Sequence, residues 1–196
     1  FFIESFVDEM AHAAGKDGYA FRRELLAESP RHLKVLDTAA KMSGWGSALP
    51  EKHGRGIAFV PSFGSIVAQV AEVDMSGPKP KVTKVYVAAD PGFVINPDGF
   101  TAQMESAIVY GLTAALYGDI TLKDGAVQQS NFHDYPMLRI DEMPEVEVAL
   151  INGDHERLGG GGEPGLPPIA PAVTNAIFAP TGKRIRELPL SKHSFA

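Results

Sequence analysis

Apolar residues return at helical spacing through the first 45 residues of the chain. In residues 2–14 they recur every three or four positions, which predicts an amphipathic helix. Asp17 is a suitable N-cap for a second, shorter helix, because its carboxylate can accept from the free N–H groups of the first turn. A third helix is predicted to start at Ser29–Pro30 and to end at Gly44. We therefore predict a helical segment over residues 1–45.

The pattern changes in the middle of the chain to short runs rich in Val, Ala and Phe. Such runs favour strands, because branched and aromatic side chains pack well on a pleated surface. They cover residues 56–63, 66–75 and 82–89, where we predict three strands, two of them forming a hairpin. Gly, Pro and charged residues are frequent in residues 45–56, which indicates a connector between the helical segment and the strands.

Helical and strand-like patterns alternate in the second half of the chain. The sequence Asn96–Pro97–Asp98 predicts a turn. The elements predicted after it are a largely buried helix over residues 101–117, short strands over 120–122 and 126–130, a strand over 146–151 and a final helix over 168–181. Together the elements indicate the α+β fold class, with a helical segment over residues 1–45 and an α+β domain over residues 46–196.

Composition narrows the range of functions. The chain has 196 residues, 44% of them hydrophobic, which is enough for the core of one medium domain or two small ones. Its net charge is -6 and its basic residues form no stripe along which a phosphate backbone could lie, so nucleic acid is not an expected partner. No apolar run is long enough to predict a membrane span. Because the chain has no cysteine, it cannot itself hold a disulfide, a thiolate zinc site or an iron–sulfur cluster.

The most unusual stretch is residues 159–168, where four glycines are followed by one carboxylate and several prolines. Glycine lets a backbone approach a ligand closely, and Pro164 restricts the backbone of Glu163 to extended values. The apolar residues that follow suggest that Glu163 lies near a buried surface, where desolvation raises the pKa of a carboxyl group and suits it to be a general base. A solvated surface loop of the same composition is an equal alternative. A phosphate-binding P-loop is excluded, because no Lys-Ser or Lys-Thr pair follows the glycines.

Two other polar positions are weaker candidates. Residues 131–136 gather amide, imidazole, carboxylate and aromatic groups, but neighbouring side chains of an extended chain point in different directions, so a metal site there is not favoured. Gln103 lies early in the apolar helix over residues 101–117, where an amide either meets a buried ligand or caps the preceding loop. Spacing alone favours capping for Gln103.

Several short motifs occur along the whole chain in a fixed order. They occupy residues 54–58, 63–65, 69–73, 96–97, 103–105, 111–112, 116–118, 131–136, 162–165 and 181–184. In this order they resemble the molybdenum hydroxylases of the xanthine dehydrogenase and aldehyde oxidase family, specifically large molybdopterin-binding subunits of the isoquinoline 1-oxidoreductase type. Each motif is weak alone, whereas the ordered set is specific.

The resemblance implies the fold of the C-terminal part of the molybdenum-cofactor-binding domain. The implied cofactor is molybdenum on molybdopterin, usually in the cytosine dinucleotide form in bacterial members. Glu163 matches the family's catalytic glutamate, a base in the transfer of a water-derived oxygen to an electron-poor carbon of an N-heterocycle or aldehyde. Gln103 matches the glutamine that contacts the cofactor near the metal, Gly161 and Gly162 are expected to contact the cofactor, and no protein ligand to the metal is expected.

The resemblance also implies partners. Electrons would leave through iron–sulfur clusters on a small 2Fe–2S subunit, in either the bacterial cytoplasm or the periplasm. The family's large subunit is several times longer than this chain, and its earlier glycine-rich cofactor loops have no counterpart here. The chain would then be a fragment, inactive by itself and without cofactor of its own, that needs the remainder of the large subunit. The alternative is a stand-alone binding or structural domain that keeps the fold without the chemistry.

Three positions depart from the family pattern. Pro91 stands where relatives commonly have cysteine, Ser106 where glycine is frequent, and Gly161 where Val or Ile often precedes the Gly-Glu pair. None of the three removes a group to which the resemblance assigns a catalytic role.

Overall fold

The structure is a computed structural model that describes residues 1–153 and 156–195. Helices, strands and single 3-10 turns alternate along the chain. The helices are α1 (Phe2–Ala13), α2 (Gly18–Leu25), α3 (Pro30–Met42), α4 (Pro97–Leu116) and α5 (Ile169–Thr181), with 3-10 turns at Ile140–Glu142 and Leu190–Lys192. The strands are β1 (His53–Ser62), β2 (Ser65–Asp74), β3 (Lys81–Gly92), β4 (Leu122–Lys123), β5 (Ala126–Val127) and β6 (Glu145–Asn152).

Four strands form the main sheet in the order β1-β2-β3-β6. The first three strands are antiparallel neighbours in sequence, whereas β6 pairs with β3 in parallel. A parallel neighbour requires a long crossover connection, and α4 together with residues 117–144 provides it. The α+β class predicted from the sequence is therefore confirmed.

Helices cover both faces of the main sheet, and each face has its own core. On one face α4 and α5 pack against the inward side chains of β1, β2 and β3, with Met104, Ile108 and Ile177 among the fully buried side chains. On the other face α3 contributes Val35 and Leu36. The two cores fix the sheet between layers of helix, so the loops at the strand ends have a rigid support.

The sheet begins earlier than the sequence predicted, because two glycines in β1 serve helix packing rather than a loop. A Cβ atom on Gly54 would lie 2.0 Å from the carbonyl oxygen of Ala176, and one on Gly56 would lie 2.2 Å from the amide nitrogen of the same residue. Only glycine lets α5 lie this close to β1. The connector predicted over residues 45–56 therefore gives way to β1 at His53.

The start of α4 also differs from the prediction. The sequence Asn96–Pro97–Asp98 was expected to form a turn before a helix over residues 101–117, but α4 begins at Pro97. The Asn96 side chain accepts a hydrogen bond from the N–H of Gly99 at 3.0 Å, which caps the helix. Asparagine followed by proline is therefore a helix start here, with proline at the first helical position.

The other predicted elements are confirmed in type, with small differences in length. Asp17 caps α2 by accepting from the N–H of Ala20 at 2.9 Å. The left-handed Gly182 ends α5. The short hairpin β4–β5 turns at Asp124 and Gly125, both with positive φ. Among the described residues, no helix has the length and apolar character needed to cross a bilayer.

A buried ion-pair network ties α1 to the rest of the molecule. Arg22 on α2 is 2% exposed and donates from Nε to the carboxylate of Glu4 at 2.9 Å. The same carboxylate accepts from the backbone N–H of Phe59 in β1 at 2.8 Å. Because polar contacts hold this face of α1, its apolar face is left at the surface, with Phe2, Ile3 and Phe6 at 80%, 79% and 60% exposure.

Candidate active site

The glycine-rich stretch predicted as a functional loop is fastened to the strand ends of the main sheet. The N–H of Gly159 donates to the carbonyl of Pro91 and the N–H of Gly160 to that of Phe63, both at 2.8 Å. The hydroxyl of Ser65, at the start of β2, donates to the carbonyl of Gly160 at 2.6 Å. Residues 159–160 are thus held against the end of β3 and the β1–β2 turn.

Glu163 lies on the solvent side of this loop. Its side chain is exposed, whereas Pro164 and Gly165 directly after it are buried. The prediction that the Glu163 carboxylate is desolvated is therefore wrong, and the alternative of a solvated loop describes its side chain. Pro164 and Gly165 are the residues that pack inward here, and the Glu163 carboxylate faces solvent. The Glu163 carbonyl accepts from the N–H of Leu166 at 2.9 Å, which closes a tight turn around the carboxylate.

Gln103 lies on the exposed side of α4, in its second turn. The expectation that Gln103 caps the preceding loop is wrong, because Asn96 caps the helix. Gln103 instead lines an open cavity between the start of α4 and the glycine loop. The other residues around this cavity include Phe93, Ile95, Asn96, Phe100, Leu158 and Gly161.

Gly161 and Gly162 have different surroundings. A Cβ on Gly161 would come within 3.0 Å of the Phe100 ring, so the small residue and the aromatic ring fit each other. Gly162 has no atom within 4 Å of the position of an added Cβ. The structure thus places Gln103 and Gly161 at one cavity, with Gly162 and Glu163 directly beyond them along the loop; their proposed contacts with a cofactor stay predictions.

Asp90 stabilises the end of β3, to which the glycine loop is hydrogen-bonded. Its carboxylate accepts from Nε of Arg31 on α3 at 2.9 Å and from the N–H of Gly92 at 2.7 Å. Burial by itself would raise the pKa of Asp90, but the hydrogen bonds from Arg31 and Gly92 outweigh it and the pKa is lowered. The ionised carboxylate therefore holds α3 to the end of β3, next to the Pro91 carbonyl that receives Gly159.

The motif at residues 131–136 is a local turn. The carboxylate of Asp134 accepts from the backbone N–H groups of Ser130 and Asn131 at 2.9–3.0 Å. The His133 side chain is 73% exposed and its Nε2 lies 3.5 Å from the Asp134 carboxylate. Within residues 1–153 and 156–195, no group of three or more His, Cys, Asp or Glu side chains is arranged to hold a metal ion.

The sequence alone predicted no role for Gln69, although its side chain, like that of Ser65, forms a hydrogen bond with the glycine loop. Gln69 in β2 is fully buried, and its Nε2 donates to the carbonyl of Gly165 at 2.7 Å. The signal in the sequence is one amide within the otherwise apolar run of residues 66–71. The contact itself joins residues 96 positions apart and could not be predicted from local pattern.

Tyr117 and Glu142 fasten the crossover connection to the end of α4. The Tyr117 hydroxyl donates to the Glu142 carboxylate. Burial and this hydrogen bond raise the pKa of Tyr117 to about 12. The pair lies on the connection between α4 and β6, and we assign it a structural role.

Comparison with known proteins places these features in a family. The family model for the molybdopterin cofactor-binding domain matches residues 8–144. The chain is 38% identical over 192 residues to the beta subunit of isoquinoline 1-oxidoreductase from Brevundimonas diminuta, which covers 95% of this chain and 24% of that protein. It is 31% identical over 211 residues to a nicotinate dehydrogenase subunit from Pseudomonas putida, covering 96% of this chain and 17% of that protein.

A solved structure gives the same result for the fold. The aldehyde oxidoreductase of Desulfovibrio gigas aligns with a TM-score of 0.56 and 23% identity, over 64% of this chain and 14% of that one. The chain thus spans about a quarter or less of the length of these relatives. Since the family model matches more than half of the chain and two relatives exceed 30% identity over nearly all of it, the chain belongs to the molybdopterin cofactor-binding family of molybdenum hydroxylase large subunits.

Proposed function

We propose that this chain is the part of a molybdenum hydroxylase large subunit that carries the catalytic base, Glu163, together with the cofactor contact Gln103. The observation that carries the proposal is the exposed Glu163 carboxylate, held in a loop fastened at both sides. Glu163 follows two residues after Gly161, which lines an open cavity together with Gln103. A carboxylate on a rigid support, with open space beside it, suits a base that must meet a bound substrate.

The residues at the cavity fit a molybdenum cofactor bound through its pterin. The exposed Gln103 amide and the glycine backbone offer hydrogen bonds, and the space at Gly162 leaves room for a close approach. We propose molybdopterin in the cytosine dinucleotide form. When bound, this cofactor supplies the redox centre that takes up two electrons from the substrate.

The part of Glu163 in the reaction is proton transfer. Its carboxylate accepts a proton from the water-derived oxygen as that oxygen bonds to an electron-poor carbon of an N-heterocycle or aldehyde. The C–H bond of that carbon breaks, and its hydrogen leaves with the electron pair that the bound cofactor would take up. The exposure of Glu163 in this chain means that the water-excluding wall of the site has to come from outside it.

The remainder of a longer large subunit supplies this wall in our proposal. Two observations support a covered surface: the exposed site itself, and the apolar face of α1, defined as Phe2, Ile3, Phe6 and Met10. A contiguous apolar patch at the surface is typical of an interface. We also propose that the electrons leave through a small 2Fe–2S subunit. In support, the similar proteins are named as subunits, and this chain has no cysteine with which to hold a cluster itself. In the same proposal residues 1–45 form a helical segment and residues 46–196 the α+β cofactor domain.

The substitution Glu163→Gln in the intact enzyme tests the proposal. It keeps the size of the side chain and removes the base, so we expect kcat for an N-heterocycle or aldehyde to fall by about 10²- to 10⁴-fold while molybdenum content stays unchanged. Glu187→Gln, an exposed acid after α5, is the matched control and should leave both quantities unchanged. Retained turnover by Glu163→Gln would overturn the assignment and favour a non-catalytic domain.

A further inference from the structure

One polar side chain interrupts the apolar row that β2 presents to α4 and α5. Side chains of a strand alternate between its faces, so Val67, Gln69 and Ala71 point the same way. Val67 and Ala71 belong to the main hydrophobic core, and Gln69 between them is 0% exposed. Its neighbours across the sheet, Ala58 and Val87, also belong to that core. Burying an amide in such a place is unfavourable unless it is hydrogen-bonded.

Gln69 uses only part of its hydrogen-bonding capacity. Its Nε2 donates to the Gly165 carbonyl at 2.7 Å, while its Oε1 is buried and has no partner in the part of the chain that the structure describes. An apolar side chain of similar shape would avoid the unfavourable burial of that oxygen, but it would leave the buried Gly165 carbonyl without its donor. These two effects on stability oppose each other, and what the amide adds at this position is the fixed contact with Gly165.

Gly165 also lies against α4. A Cβ on Gly165 would lie 3.0 Å from the Cβ of Ala107 and 3.1 Å from the sulfur of Met104. The residue is buried and so is Pro164 before it. The contacts with α4 and with the Gln69 amide together define the position of Gly165. Glu163 lies two residues before it in the chain.

We propose that Gln69 is a positioning residue for Glu163. By holding the Gly165 carbonyl, it fixes the end of the loop on one side of the carboxylate, as Ser65 does on the other through Gly160. Gln69 acts through the loop and touches neither substrate nor cofactor. The inference rests on the proposed role of Glu163 as base.

The substitution Gln69→Met tests this role, because methionine has a similar length and no amide. In the intact molybdenum-loaded enzyme we expect kcat to fall about 10- to 100-fold, as a small displacement of a catalytic group can cause, with KM within about twofold. Molybdenum content should not change. In the 196-residue chain, the Leu166 amide, which donates to the Glu163 carbonyl, should exchange its hydrogen at least about 10-fold faster, while the chain remains folded.

The control is Gln128→Met, the same change at an exposed position next to the β4–β5 hairpin, which should leave kcat and the Leu166 exchange rate unchanged. Wild-type kcat and exchange in Gln69→Met would overturn the proposal. If Gln69→Met did not fold, Gln69→Leu would be measured in the same way. Failure of both variants to fold would show that Gln69 is structural, and would also overturn it.

A double variant separates this proposal from the proposed function. If Gln69 acts through Glu163, adding Gln69→Met to Glu163→Gln should cause no further loss of kcat. Full activity of Glu163→Gln would mean that the proposed base is wrong, and the positioning role would be withdrawn with it. An inactive Glu163→Gln beside a fully active Gln69→Met would leave the base in place and overturn the positioning role alone.

Discussion

At the scale of single residues, the glycines of the loop divide into those that the fold requires and one that it does not. Gly165 is enclosed by Met104 and Ala107, and Gly159 by Ser65 and Gly64, so a side chain at either position would disturb the chain itself. Gly162 faces open space and has no positive φ. Since neither packing nor backbone conformation requires glycine here, the space beside Gly162 is free for the cofactor contact proposed above.

We therefore expect Gly162→Ala to separate folding from cofactor binding. With no atom within 4 Å of the new methyl group, the free energy of unfolding of the 196-residue chain should change by less than about 0.5 kcal/mol. In the intact enzyme the methyl group would occupy space proposed for the cofactor, and molybdenum content should fall. Metal analysis together with chemical denaturation checks both parts.

The matched control for this prediction is Gly165→Ala. Its methyl group meets Ala107 and Met104, so the chain itself should become less stable. Full molybdenum content in Gly162→Ala would show that the open space at this position is simply solvent, and would remove Gly162 from the proposed cofactor contacts.

At the scale of elements, the position of α1 depends on buried polar contacts. Removing one partner of a buried ion pair leaves the other charge uncompensated. Arg22→Met should therefore lower the free energy of unfolding by about 3–5 kcal/mol, because Glu4 would stay buried at the junction of α1 and β1. Urea denaturation of the 196-residue chain measures this effect.

Arg23→Met is the control, since it makes the same change at the next position along α2. Arg23 pairs with Asp37 at 2.8 Å, but both side chains are well exposed, so water replaces the lost contact and the loss of stability should be far smaller. Equal losses in the two variants would show that the buried network does not hold α1 in place.

The contact between α3 and β3 should depend on pH. Since the pKa of Asp90 is lowered in the folded chain, its carboxylate stabilises the fold above the ordinary aspartate value of about 3.9, and this contribution is lost as the pH falls through the lower folded value. Asp90→Asn should accordingly be less stable than wild type at pH 7, and the difference should shrink below about pH 4. Urea denaturation between pH 7 and pH 3 measures it; a difference that does not vary with pH would contradict the ionised state of Asp90.

Local pattern predicted the elements well where the controlling interactions are local. Asp17 and Gly182 ended helices as expected, because caps act within one turn. The prediction was wrong where a distant element decides the outcome. The strand β1 already includes Gly54 because α5 packs on it, and at the loop Gly165, rather than Glu163, lies buried against α4. Gln69 and Gly165 are 96 residues apart, so the sequence shows that an amide lies in an apolar strand but does not show which group it contacts.

At the scale of the whole molecule, the proposed function gives the exposed apolar face of α1 and the exposed loop a common explanation. An amphipathic helix ordinarily turns its apolar face to the core. In α1 the buried residues are Glu4, Ser5 and Ala11 instead, while Phe2, Ile3 and Phe6 face outward. Under the proposed function, the α1 apolar face contacts the remainder of a large subunit, which also encloses Glu163.

Phe6→Ser tests this explanation, because the cost of losing an aromatic side chain depends on whether it is covered. Phe6 is 60% exposed in the 196-residue chain, so the free energy of unfolding there should fall by no more than about 1 kcal/mol. In the intact large subunit the same side chain would be enclosed, and α1 amides should exchange hydrogen markedly faster in the variant than in wild type.

Leu25→Ser, at 61% exposure on α2 and outside the α1 apolar face, controls for the loss of an exposed apolar side chain. Equal exchange of α1 in wild-type and variant large subunits would mean that the face stays in solvent, and the enclosure of Glu163 would then have to come from another surface.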